Sequence, residues 1–128
     1  MKTQTKITLK ELMARKEQML EAKKTPKRAD LYVKSLGGTI TIEEPSRELA
    51  IEAQGMDDGV GDVYMVYQSV VEPPLKSKEL QKEFGCVEPM EIVEKIFSHG
   101  EIPQIAVKCL ELAGYSPDSV KIIEETKN

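Results

Sequence analysis

At 128 residues the chain has room for one domain, and with 40% hydrophobic residues it can bury a core, which sets wholesale disorder aside. Aromatic residues make up 5%, none of them Trp, and the net charge is -4. That composition does not suit a stacking platform for single-stranded nucleic acid, which needs exposed rings in a basic groove.

The opening Met1–Lys10 is basic and lacks the apolar stretch of a signal peptide, so the cytoplasm is the expected compartment. Thr8-Leu9-Lys10-Glu11 has the spacing of a capping box, in which the Thr side chain accepts from the third residue's amide and the Glu reaches back. The helix it opens is expected to run from about Leu9 to Lys24, because Pro26 disfavours helical geometry just before it. Its apolar stripe of Leu9, Leu12, Met13, Met19 and Leu20 is interrupted by Lys16 and too thin for a central core helix.

Through Lys34, ten Lys/Arg stand against four Asp/Glu, a local balance of +6; the remainder, with eight against eighteen, carries -10. The basic residues alternate with Glu11, Glu17 and Glu21, which fits a solvated charged helix better than a phosphate-binding arm, and nucleic acid is not an expected partner. Pro26, flanked by Lys23-Lys24 and Lys27-Arg28, makes a hinge behind the helix. Leu12, Met13, Met19 and Leu20 are therefore the candidate partner-binding residues, facing another protein or a second copy of the chain; flexible methionines adapt to varied apolar surfaces. The alternative is that the helix packs on its own domain.

The clearest β signal follows. Leu31–Leu36, then Gly37-Gly38, then Thr39–Glu43 is expected to form a hairpin with a two-residue loop, Leu36 opposite Thr39 and Val33 opposite Ile42. One face then carries Leu31, Val33, Ile40 and Ile42, which helices must cover, since a lone hairpin is marginal in water.

From Pro45 onward the punctuation is helical. Ser46 caps a helix to about Gln54, stopped by Gly55, and Met56–Gly61 is expected to be an acidic, flexible loop. Val63, Tyr64, Tyr67, Val70 and Val71 follow helical spacing until Glu72-Pro73-Pro74. Ser77 caps a short helix closed by Gly85; Pro89 suits the first turn of another, bearing Met90, Val93, Ile96 and Phe97. Pro103 opens a helix with Ile102, Ile105, Ala106, Cys109, Leu112 and Ala113 on its apolar side, ending at Gly114. Ser116-Pro117-Asp118 starts a last helix or leads into a polar tail. No apolar run reaches the ~18 residues needed to span a membrane.

The expected fold class is α+β and mostly helical: one β-hairpin packed against about five helices, plus the N-terminal helix. The chain divides into a charged helix and hinge over 1–28, a compact domain over 29–115 and a polar tail over 116–128.

No catalytic constellation is visible. His99, the single histidine, sits in Phe97-Ser98-His99-Gly100-Glu101 between two expected helices, where it fits the carbonyl end of a helix better than a catalytic role. Cys86 and Cys109 do not suggest a disulfide framework, and Cys86 with His99 has no metal or protease spacing. Asp57, Asp58 and Asp62 lack the alternate-position ligands and closing Glu of a calcium loop. Gly37-Gly38 joins two strands and lacks the Lys-Ser/Thr of a phosphate loop. Neither an enzyme nor a cofactor is expected.

Three segments in order carry a resemblance. They are the capped helix followed by Leu31–Ile42; the Tyr64–Val70 helix running into Pro73-Pro74-Leu75-Lys76-Ser77-Lys78-Glu79-Leu80; and Phe84-Gly85-Cys86-Val87-Glu88-Pro89-Met90-Glu91-Ile92-Val93 through Phe97, Gly100-Glu101-Ile102 and Gly114-Tyr115. Together, from about Ile7 to Tyr115, they resemble the XkdN-like tail assembly chaperones of contractile-tailed, PBSX-like prophages. The resemblance implies a binding function: keeping the long helical tape measure protein in solution while tail tube subunits polymerise around it, with the tail tube protein as a further partner. The competing class is a structural tail component or another small protein-binding adaptor.

Overall fold

The computed structural model describes residues 6–123. The capping box at Thr8 forms: Thr8 Oγ1 accepts from the Glu11 amide at 3.1 Å, and the Glu11 carboxylate accepts from the Thr8 amide at 3.0 Å. The helix it opens is not continuous to Lys24. It divides into α1 (Leu9–Ala14) and α2 (Lys16–Lys24) at Arg15, whose φ of -93° and ψ of 1° tighten the turn between them.

The hairpin consists of β1 (Arg28–Val33) and β2 (Gly38–Glu43). Its register differs from the expected one. Val33 pairs with Gly38, Leu31 with Ile40 and Ala29 with Ile42, so residues 34–37 form a four-residue loop. Gly37 alone in that loop has positive φ, at 62°, while Gly38 already belongs to the ladder. The slip relative to the two-residue loop is four residues. An even slip keeps every side chain on its face, so Val33, Ile40 and Ile42 are buried as expected and Leu31 is half-buried.

Helix α3 (Arg47–Gln54) is capped by Ser46, whose Oγ accepts from the Leu49 amide at 3.1 Å. Helix α4 (Val60–Ser69) begins earlier than expected and takes Gly61 out of the acidic loop. The helical spacing also ends sooner than the sequence suggested: Val70–Glu72 is a strand, β3, antiparallel to β2, with Ile42 opposite Val70. Two adjacent β-branched valines prefer a pleated surface to a helix, and here the sheet edge offers one. The result is a three-stranded antiparallel sheet in the order β1-β2-β3.

Ser77 caps α5 (Lys78–Glu83), accepting from the Leu80 amide at 3.1 Å. Helix α6 (Glu91–Ile96) starts two residues after Pro89, and α7 (Glu101–Leu112) carries Pro103 in its first turn. The fold is a mostly helical α+β domain, as expected, with a sheet one strand larger.

Its core lies between one face of the sheet and the helices. Val33, Ile40, Ile42 and Val70 meet Met65 and Val66 of α4, Ile92 and Val93 of α6, and Ile102, Ile105, Ala106 and Cys109 of α7, with Leu75 and Phe97 filling in from the connections. Helices α3 and α4 cross very closely at Gly61. A Cβ built there would overlap the Ala53 carbonyl oxygen, which is main chain and cannot swing aside. Gly61→Ala is therefore expected to cost about 1–3 kcal/mol, the scale of overpacking, read as a lowered midpoint in a denaturant melt.

Candidate functional site

Two features stand out once the core is accounted for: a carboxylate clamp between hairpin and helix, and an apolar arm beside an open groove. The clamp is made by Glu101, the first residue of α7. Its Oε1 accepts from the Ser35 hydroxyl at 2.7 Å and the Ser98 amide at 3.0 Å, and its Oε2 from the Ser35 amide at 3.0 Å. One side chain thus fixes the hairpin loop to the start of a helix 66 positions away. These donors, the Ser35 hydroxyl foremost, hold the Glu101 carboxyl down at about 2, from an ordinary value of 4.5. The Ser98–Glu101 spacing repeats that of Thr8–Glu11 and was the signal available in the sequence.

Glu91 behaves similarly at the start of α6. It accepts from the Val87 and Glu88 amides, each at 3.1 Å, and its pKa is lowered by those bonds. Both clamps hold structure. His99 sits exposed in the turn between α6 and α7, and among the described residues no three His, Cys, Asp or Glu side chains gather as metal ligands would. Cys86 is half-buried and Cys109 fully buried, where loss of solvent pushes its thiol up to about 11 against a small opposing effect of Ser69. The Asp57-Asp58 loop is exposed, and Asp62 lies in the first turn of α4.

The arm is different in kind. No residue of α1 or α2 is buried. Leu12 is 45% exposed, Met13 67%, Met19 42% and Leu20 57%, and Leu9 is more open still. Met19 and Leu20 point to different surroundings. Met19, with Ala22, Lys23, Pro26 and Lys27, forms one wall of an open groove of about 970 Å³. The opposite wall is the body: the Glu43–Arg47 connection, Leu49, and Ala113 and Tyr115 beyond α7. Leu20 lies on a neighbouring, shallower surface with Glu17, Glu21 and Lys24. Of the four candidate residues, the structure therefore brings only Met19 to the groove, and Leu12 and Met13 extend the apolar surface along α1. The body's contribution to the groove was missed in the sequence, because Pro45, Leu49 and Ala113 come together only in the fold.

The sequence profile of the phage XkdN-like tail assembly chaperone proteins matches residues 1–127. The chain belongs to that family. No curated protein matches it. The fold of this chaperone is similar to that in the crystal structure of the protein YqbN, with a TM-score of 0.57 over 72% of this chain and 88% of that one, at 16% identity. Membership of a tail assembly chaperone family implies protein partners in tail assembly and a role other than catalysis. No helix among the described residues is long and apolar enough to cross a membrane.

Two measurements check these features. Because the Glu101 pKa is depressed on folding, its contribution is complete above about pH 5 and is lost as pH falls toward 2. Glu101→Gln is expected to lower the Tm at neutral pH, and the gap from the parent should narrow steadily between pH 5 and 2. Among the described residues, deletion through Lys24 removes no buried side chain, so the Tm of the remainder should stay within a few degrees of the full chain's; a collapse would mean that the arm belongs to the core.

Proposed function

We propose that this chaperone binds the tape measure protein during tail assembly, seating an amphipathic helix of it against the arm and in the groove beside Met19. The observation that carries the reading is the arm itself. Its five large apolar side chains, from Leu9 to Leu20, are 42–75% exposed on helices without a single buried residue. A long helical protein waiting for its tube subunits would expose apolar stripes prone to aggregation, and an adaptable Leu/Met surface suits their cover.

The magnitudes favour this use. Full burial of a Leu or Met contributes roughly 1.5–3 kcal/mol, and these side chains, already covered in part, gain a share of that, so contacts along the whole arm together offset the cost of association. On this reading the protein acts in the host cytoplasm, before the tail of a contractile phage or prophage is complete, with the tail tube protein as a later partner. Residues 1–28 serve as the binding arm and 29–115 as its support.

Co-expression with the tape measure protein of the same phage or prophage, followed by affinity capture, tests the reading. The parent is expected to keep the tape measure protein in the supernatant and to co-elute with it. Leu12→Asp combined with Met19→Asp should shift the Tm by no more than a few degrees, since neither side chain is buried, yet reduce co-elution by about tenfold or more. A tape measure protein that stays in solution alone and fails to associate at low salt would end the proposal.

A further inference from the structure

The groove beside Met19 carries charge as well as apolar surface. Lys23 and Lys27 stand on its arm side and Arg47 on its body side. Among the described residues, the ion pairs are Lys24–Glu21, Arg28–Glu43 and Lys108–Glu111, and none engages those three cations. The groove's two acids offset this charge only in part: Glu43 is paired with a further cation, Arg28, and Glu44 is fixed in place by an amide while keeping its charge. Glu43 Oε1 receives the Arg28 guanidinium at 3.0 Å from Nη2 and 3.1 Å from Nε, and Glu44 Oε1 accepts from the Lys27 amide at 2.8 Å. With Arg28 counted, four cations stand against two carboxylates around a trough of mixed apolar and polar surface, and the balance at its edge is positive. The arm adds to this field, since from Lys6 to Arg28 eight Lys/Arg face three Asp/Glu.

We propose that the groove selects an acidic amphipathic helix: a segment whose apolar stripe rests on Met19, Pro26 and Leu49 while flanking carboxylates meet Lys23 and Lys27 on one rim and Arg47 on the other. This rests on the groove being the chaperone's binding site and adds the chemistry that the site prefers. A helix is about 10–12 Å across with its side chains, so carboxylates on either side of one stripe address opposite rims together. The long, unpaired Lys and Arg side chains can follow them. A segment flanked by Lys instead would meet a rim whose net charge is positive and bind less well, which is how rim charges discriminate between partners of equal apolarity. The arm of a second copy, basic like this one, would be disfavoured in the same way. A compact small molecule is a poorer fit, because the groove is open and one wall is a helix without a buried residue, not the enclosed cavity such ligands favour.

The test uses the full chain and two synthetic peptides with one Leu/Ala stripe, one flanked by Glu and the other by Lys, followed by fluorescence anisotropy. The Glu-flanked peptide is expected to bind about tenfold more tightly at low salt, and the difference should shrink in 0.5 M salt, as exposed charges are screened. The variant Lys23→Glu/Lys27→Glu/Arg47→Glu, checked for an unchanged Tm, should reverse the preference. Equal binding of both peptides, binding of neither, or a signal that tracks self-association of the protein would each overturn the proposal. Capture of the tape measure protein, measured in parallel, separates this inference from the reading beneath it. If the parent and the triple variant capture it equally while the peptides are not distinguished, the chaperone reading stands and this inference falls. If the peptides are distinguished and no tape measure protein is captured, the reverse holds.

Discussion

The fold depends on covering one face of a small sheet. Ile40 and Ile42 of the central strand, with Val33 and Val70 beside them, are left with almost no contact with water, and that is possible only because α4 and α7 lie across them. A two-stranded ribbon could not hold these residues in place unaided. The third strand arrives without a loop, since α4 ends at Ser69 and β3 begins at Val70. Helix α4 is thereby tied to the sheet at its C-terminal end. At its N-terminal end the missing side chain of Gly61 lets it sit directly on the Ala53 carbonyl. Glu101 fastens the other side, joining the hairpin loop to α7, so both covering helices are tied to neighbouring elements.

Against that body the arm has little to hold it. Its helices satisfy their own backbone through local bonds, beginning with the Thr8–Glu11 pair, but the free energy that usually secures a short helix comes from burying a face. Here that face is left open. On the function proposed above, stability and partner recognition are carried by different stretches of one chain. Apolar surface needed for recognition can remain exposed without weakening the core, and segments with few buried contacts open at low cost.

Much of this was legible in the sequence where the physics is local. Thr8, Ser46 and Ser77 marked helix starts because a side-chain oxygen at that position has one specific amide to meet. The buried face of the hairpin was legible from alternation, yet the register was not. Leu31, Val33, Ile40 and Ile42 satisfy the core in any pairing that differs by an even slip, and the turn decides between them. Val70 and Val71 fit a helical stripe by spacing, and only the open edge of β2, a property of the assembled sheet, turned them into a strand. Nothing in the residue types around Arg15 announced the division of the first helix. At the candidate site, the exposed Leu and Met of the arm could be read from a stripe too thin for a core. The opposite wall could not, because the Glu43–Arg47 connection and the end of α7 approach the arm only through tertiary packing.

The two thiols give the molecule an internal chemical clock. Only a thiolate reacts readily with alkylating agents or oxidants, and Cys109, sealed beneath the sheet with its ionisation pushed far above neutral, offers almost none while the core is closed. Cys86 keeps partial access to solvent. Modification of Cys86 therefore reports reach to the surface, whereas modification of Cys109 reports an opening event that parts α7 from its neighbours. The native sequence thus carries its own record of how often the core breathes, legible by mass without any added probe.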